Sequence, residues 1–226
     1  MNIIQQNTGE WIVEDWGIID YANALEKQLV YVQDRKDEKR EDTLALLEHP
    51  PVYTLGARKG AQEHVIWDEA ERQIHGINLI KANRGGDVTY HGPGQIVGYL
   101  ISDARKLGDL HAVLRAVEDL IINTLAEFDL LGTRRDGKTG IWFEDRKVAA
   151  IGVAVKSWIT YHGFSLNVTP DLNHFNGIVP CGITDGSVTS LEMEMEQAPP
   201  LDEVKKKLAC HFSGFRRALE GERSWR

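Results

Sequence analysis

Cys181 stands between a proline and a glycine in NGIVPCGI, residues 176–183, and is one of two cysteines in a chain of 226 residues. A structural thiol fills a gap on an apolar helix or strand face; this spelling is that of a turn. Proline fixes the approach of the chain, and glycine leaves the next amide unshielded, so the sulfur is expected to be accessible with backbone donors nearby. A thiol of ordinary pKa, about 8.5, is only a few per cent thiolate at neutral pH, so a nucleophilic cysteine needs a cationic or basic neighbour. Two residues qualify. Lys147 opens an apolar run to Val155, where low polarity would lower its proton affinity. His91, with an ordinary pKa near 6.5, suits the task without tuning. The residue types leave both open.

The densest unusual stretch is RGGDVTYHGPGQ, residues 84–95, with four of the 21 glycines. Glycine at this density lets backbone amides approach a ligand closely. The stretch lacks the GK[ST] ending of a phosphate loop. GPGQIVG misses the dinucleotide spacing by one residue and precedes a strand where a helix is required. With Arg84, Thr89, Tyr90 and His91 crowded beside the glycines, it reads as a binding loop. None of the eight histidines has HExxH or comparable spacing, which argues against metal-assisted hydrolysis.

These groups must be positioned by regular elements. Residues 20–34 carry Ala22, Leu25, Leu29 and Val32 at helical spacing, and the mixed charges that follow, RKDEKRED, read as a solvated end. LALLEH and PPVYTLG read as strand, turn and strand, broken by the proline pair. QIVGYLI, residues 95–101, is apolar on both alternating faces and predicts a strand covered on both sides. Val113, Leu114, Val117, Leu120, Ile121, Leu125 and Phe128 predict one helix stripe, with Gly132 as its stop. Residues 147–155 and 159–168 predict a hairpin turning through Lys156, Ser157 and Trp158. That pairing sets Ile151 opposite Gly163 and Lys147 opposite Asn167, with Cys181 another 14 residues on, a span an ordinary loop closes. A last amphipathic helix, about 202–219, carries Cys210, expected as core filler.

The composition is that of a folded domain: 42% hydrophobic and 27% charged residues. Lysine and arginine give 26 positive charges against 34 negative ones, a net −8, so a nucleic-acid partner is not expected. The first residues, MNIIQQNTGEW, lack the basic start and apolar stretch of a signal peptide, and no apolar run would span a bilayer. The expectation is a cytoplasmic protein that does not engage a membrane, with both cysteines as free thiols.

Five stretches, LEHPPVYTLG, RGGDVTYHGPGQIVGY, TGIWFEDRKVAAIGV, HGFSLNV and GIVPCGI, taken in this order from residue 47 to 183, resemble the lipoyl(octanoyl) transferase family. The resemblance implies a cysteine/lysine acyltransferase. Cys181 takes an octanoyl group from acyl carrier protein as a thioester and passes it to a lysine amine of a lipoyl domain, in 2-oxoacid dehydrogenase complexes or the glycine cleavage H protein. Lys147 depresses the thiol pKa and shuttles protons. The substrate-binding segments it implies are Arg84, Gly85, Gly86, Asp87, Val88, Thr89, Tyr90 and His91; Ala150, Ile151 and Gly152; and Gly163, Phe164 and Ser165. The small residues Ala150, Gly152 and Gly163 would leave room for a linear alkyl chain. No cofactor and no metal are implied. The implied fold is α/β (α+β), mixed sheets flanked by helices, as in the lipoate ligase and biotin protein ligase catalytic fold. One catalytic domain over 1–226 is expected, with a large lobe to about 175 and a small one over about 176–226. Two alternatives stand beside it: an ATP-dependent lipoate-protein ligase of the same fold, which needs no nucleophilic cysteine, and a non-catalytic carrier-binding module, which needs no Lys147/Cys181 pair.

Overall fold

The computed structural model describes residues 5–7, 10–180 and 186–220. Strands β1 (Gln5–Asn7) and β2 (Trp11–Ile18) pair antiparallel at one edge of a large sheet. Helix α1 (Tyr21–Lys36) follows, and β3 (Asp42–Glu48) returns parallel to β2. Pro50 and Pro51 then end the strand, as a missing amide hydrogen must. The expected strand–turn–strand is present, but its two strands belong to different sheets. β4 (Val52–Leu55) is the middle of a small sheet with β5 (Asn78–Lys81) and β6 (Val88–His91) on either side. Between β4 and β5, short α2 (Glu69–Ile74) starts at a capping box made by Asp68 and Glu71.

The chain re-enters the large sheet as β7 (Gln95–Ile101), crosses it with α3 (Leu110–Ala126), and completes it with β8 (Thr133–Arg135), β9 (Lys138–Phe143), β10 (Arg146–Lys156) and β11 (Ile159–Asn167). The order is β1-β2-β3-β7-β11-β10-β9-β8, and β12 (Ser187–Val188) adds parallel to the start of β10. A one-turn α4 (Leu191–Glu194) and the long α5 (Leu201–Leu219) finish the described chain.

All seven residues of β7 are buried because both faces of the sheet are covered. Ile96 and Leu100 join Leu44, Leu46, Phe164 and Leu166 against α3 and α5, which contribute Val117, Leu120, Ile121, Leu208 and Phe212. Val97 and Tyr99 point the other way, with Ala45, Leu47 and Tyr161, toward Ala24 and Val32 of α1. Each large apolar side chain in these layers contributes about 1.5–3 kcal/mol. In the small sheet Tyr53, Leu55, Val88 and Tyr90 pack on Phe175 and Ile178.

Three expectations are corrected. Of the α3 stripe, Val113, Val117, Leu120, Ile121 and Leu125 are buried, Leu114 is half-buried and Phe128 lies beyond the helix, and Gly132 does not stop it: the helix ends at Ala126, and the chain turns away through Asp129 at φ 58°. Gly132 instead lies where a Cβ would meet Leu125 and Ile141, each at 2.7 Å. Cys210 is exposed rather than core filler, because Leu208, Ala209 and Phe212 already take the inward positions of α5. The β10/β11 hairpin turns through two residues rather than three. Ser157 and Trp158 adopt φ 54° and 63°, the conformation of a type I′ turn, and Lys156 pairs with Ile159. The register is therefore one residue from that expected: Gly152 lies opposite Gly163, and Ile151 opposite Phe164.

Candidate active site

Lys147 is 6% exposed and reaches its place through a β-bulge. On β10, Ala150 and Gly152 line a cavity on the α1 side of the sheet, while Ala149 and Val148 lie in the core under α3. Strict alternation backward from Ala150 would put Lys147 on the helix-covered face. Between Lys147 and Ala149 the pairing with β9 slips: Lys147 pairs with Trp142, but Ala149 with Ile141. The extra residue turns Lys147 onto the cavity face, the re-aiming that bulges provide. Its Nζ stands 5.2 Å from the ring centre of buried Trp142. Gly140, at φ 127°, backs the lysine: a Cβ there would be 2.5 Å from Lys147 Cε and 2.5 Å from the Ala149 carbonyl oxygen.

Lys147 and Asn167, expected as a facing pair, are not register partners, yet they line one cavity together with Gln95, Thr89, Ala150, Ser165, Phe175, Pro180 and Val188. Cys181 lies outside the described residues. Pro180 directly precedes it, and Val188, seven residues further on, pairs with Lys147 across the parallel β10/β12 contact. The Thr189 amide donates to the Lys147 carbonyl at 2.9 Å. Phe175, Pro180 and Val188 also line a wider surface cleft with Ile66 and Leu172.

Thr89, Ala150 and Ser165 are shared with a second cavity of about 440 Å3, counting its open mouth, so the two adjoin along one groove wall. Of the sequence-predicted residues, Arg84, Gly86, Thr89, His91, Ala150, Ile151, Gly152, Gly163, Phe164 and Ser165 line it. Gly85, Asp87, Val88 and Tyr90 do not. The period of β6 explains two of these, since Thr89 and His91 face the groove and Val88 and Tyr90 face the small sheet's own core. Asp87 is a loop brace: it accepts hydrogen bonds from the Val88 amide at 2.7 Å and from His64 Nδ1 at 2.8 Å, and it pairs with Arg58 at 3.2 Å. The Gly85 amide is spent on the Val153 carbonyl.

The glycines do not make room for an alkyl chain as expected. A Cβ on Gly163 would lie 2.2 Å from the Gly98 carbonyl oxygen, and one on Gly152 would lie 3.0 Å from the Gly85 carbonyl oxygen and 3.2 Å from Arg84 Cδ. The first admits a neighbouring strand, and the second admits Arg84. That arginine donates from Nη2 to Thr54 through both its carbonyl and hydroxyl oxygens, at 2.7 and 2.8 Å.

His91 is buried in the groove with its role limited by two effects. Desolvation first, then the neighbouring His49 and Arg84, hold its pKa well below the usual histidine range, so the ring is neutral. Its Nδ1 lies 2.7 Å from Gln95 Oε1, an acceptor, so Nδ1 carries the proton and Nε2 the lone pair. Gln95 Nε2 donates on to Asn167 Oδ1 at 2.8 Å, and Asn167 Nδ2 to the Thr189 carbonyl at 2.8 Å. One buried polar line thus joins the binding loop to the segment beside Lys147.

Sequence reading missed Tyr21, Val97, Tyr99 and His162, all of which line the groove. Counting in twos from Gln95 along β7 finds Val97 and Tyr99; nothing in the sequence marks Tyr21. Among the described residues, no helix is long and apolar enough to cross a membrane.

Residues 20–213 match the family model described as the lipoyl protein ligase A/B catalytic domain. An octanoyltransferase of Cytophaga hutchinsonii is 42% identical over 233 residues, covering 94% of this chain and 95% of its own. An octanoyltransferase of Desulforamulus reducens is 44% identical over 199 residues, covering 87% of each chain. The crystal structure of a lipoate-protein ligase A bound with ATP superposes with a TM-score of 0.69 at 18% identity, over 91% of this chain and 84% of that one; the likeness is one of mixed α/β fold. Two chains this alike over nearly their whole lengths share an activity as well as a fold, and the chain belongs to the lipoyl protein ligase A/B catalytic domain family, among its octanoyltransferases.

Proposed function

We propose that the octanoyl group travels on Cys181, with Lys147 managing the protons. The observation that supports this is the buried Lys147 amine, turned by a bulge into a cavity that it lines together with Pro180, the residue before Cys181, and Val188. An ammonium beside the thiol favours the thiolate, and the pair titrates as a unit. The thiolate attacks the thioester carbonyl of octanoyl-acyl carrier protein. The carrier's sulfur leaves and takes a proton from Lys147, and Cys181 keeps the acyl group. The acceptor is a lysine of a lipoyl domain, in 2-oxoacid dehydrogenase complexes or the glycine cleavage H protein. Its amine attacks the Cys181 thioester, an amide bond forms as the carbon–sulfur bond breaks, and Lys147 takes the proton lost by the amine, which restores the ammonium/thiolate pair. A backbone donor at the oxyanion contributes roughly 3 kcal/mol. The groove holds the chain at roughly 0.8 kcal/mol per buried methylene. Because the acyl group rests on Cys181 after the carrier leaves and before the acceptor arrives, the kinetics are ping-pong. The reaction is placed in the cytoplasm.

Incubation with octanoyl-acyl carrier protein, without ATP, is expected to leave one octanoyl group on the peptide holding Cys181, read by mass. An unmodified peptide in a sample that turns over would refute the mechanism, and a requirement for ATP and magnesium would favour the ligase alternative. Lys147→Ala is expected to raise the pH midpoint of Cys181 alkylation. An unchanged midpoint would remove Lys147 from the role.

A further inference from the structure

The far end of the groove is polar where an alkyl terminus would prefer hydrocarbon. Tyr21 Oη and His162 Nδ1 are both fully enclosed and have no hydrogen-bond partner among the described residues, although Tyr21 and His162 are only 4% and 1% exposed. Both residues line the cavity, and their rings stack with centres 6.3 Å apart. Buried polar groups left without partners are rare in folded proteins, and each calls for an explanation such as a bound ligand atom or an ordered water.

His162 is held in place at some cost. It sits at φ 55° inside β11, a left-handed conformation that costs about 1–3 kcal/mol and that persists at ligand sites when the surroundings enforce it. Its amide donates to Gln28 Oε1 at 2.7 Å. Its Nε2 lies 3.1 Å from Asn83 Oδ1, which makes Nε2 the proton bearer and leaves Nδ1 as a bare acceptor. Burial pushes the His162 pKa down to about 3 and that of Tyr21 up to about 12, so both are neutral at ordinary pH. One acceptor beside one hydroxyl matches a neutral hydroxyl group or a water, each of which donates and accepts.

On the proposed reading the acyl chain runs from the Lys147 cavity along β11. Ser165 belongs to both the Lys147 cavity and the larger one, and His162 lies three residues further along β11, about 10 Å at strand rise. An extended chain advances about 1.2 Å per bond, so the seven carbon–carbon bonds of an octanoyl group span about 8 Å. We propose that Tyr21 and His162 form a polar terminal subsite that holds one hydrogen-bonding atom beyond the eighth carbon. A water occupies it with an octanoyl group, a longer alkyl chain has to displace that water without replacing its hydrogen bonds, and a terminal hydroxyl takes its place. The inference rests on the groove being the acyl site.

The test compares two ligands of equal heavy-atom count, 8-hydroxyoctanamide and nonanamide, by calorimetric binding to the whole protein. Neither needs Cys181 chemistry, so the result is independent of whether the thioester forms. The hydroxyl ligand is expected to bind about threefold to tenfold more tightly, the value of one net hydrogen bond. Nonanamide binding equally or more tightly would overturn the subsite, because an apolar end penalises a buried hydroxyl. Tyr21→Phe is expected to cut the preference at least threefold, and an unaltered preference would overturn the assignment to Tyr21. Mass analysis of Cys181 after incubation with octanoyl-acyl carrier protein, run alongside, separates failure of the transfer mechanism from failure of the subsite.

Discussion

Gly140 is the residue through which the placement of Lys147 is best tested. A Cβ at 140 would stand 2.5 Å from the Ala149 carbonyl oxygen, which belongs to the bulge and cannot retreat without breaking it, and 2.5 Å from Lys147 Cε, which can. Ordinary carbon contacts lie at about 3.5–4.0 Å, so the lysine must withdraw by about 1 Å or more. Gly140→Ala therefore carries a backbone cost at φ 127° of about 1–3 kcal/mol, and an overpacking cost of about 1–3 kcal/mol. Gly137 on the same hairpin is the control. Its φ is 72°, but nothing lies within 4 Å of its Cβ position, so Gly137→Ala costs about 1 kcal/mol and leaves the lysine alone.

Urea denaturation is expected to separate the two variants by at least about 1 kcal/mol, the lower bound of the overpacking cost. On the proposed mechanism, octanoyl transfer by Gly140→Ala should fall about 100-fold, the cost of displacing a reacting group by 1 Å. The pH midpoint of Cys181 alkylation should rise, because a receding ammonium stabilises the thiolate less. If the clash with the lysine matters, Gly140→Ala and Lys147→Ala will be non-additive, with the double variant losing about 0.5–3 kcal/mol less than the sum. Equal stability for the two glycine variants, with unchanged transfer and midpoint, would refute the reasoning.

Two further outcomes are expected. His49 is neutral in the fold, its pKa pushed down to about 4 mainly by burial, and His162 down to about 3. As pH falls through 6.5 the unfolded chain takes up protons that these rings refuse, so stability drops toward acid by about 1.4 kcal/mol per pH unit for each such histidine. His49→Gln should flatten the stability profile between pH 5 and 6 by about one proton's worth, as read by urea melts; an unchanged slope would show that His49 titrates normally in the fold. Because Cys210 is exposed, Cys210→Ser should change stability by less than about 0.5 kcal/mol and retain transfer, and a larger loss in denaturation would mean that the thiol is packed after all.

Much of the scaffold was legible because burial writes its period into the chain. The unbroken run without a charged side chain after Gln95 in β7 announced a doubly covered strand, and the Val113–Leu125 stripe announced the helix above it. The turn between β10 and β11 was not legible. Ser157 and Trp158 both take left-handed φ, yet neither is the glycine or asparagine that usually marks a two-residue turn. Reading a third loop residue there shifted every cross-strand partner by one. Cys210 was misread for a related reason: on a helix one step of 100° separates the inward Ala209 from an outward neighbour, and an apolar residue type does not say which side it takes.

The bulge at Val148 is the deeper case. In KVAAIGV nothing separates Val148 from its neighbours by type, because Val148 and Ala149 are both apolar and both end in the same core. A regular β10 would carry Lys147 on the face covered by α3, where a charge without a partner costs several kcal/mol. The slip against Trp142 and Ile141 moves it to the groove instead. Cavity-facing placement of the lysine is thus a property of the β9/β10 pairing, not of the lysine's own surroundings in the sequence. Gly140 is the residue on β9 that leaves space for it, and TGIW is accordingly as much part of the site as the lysine it shelters.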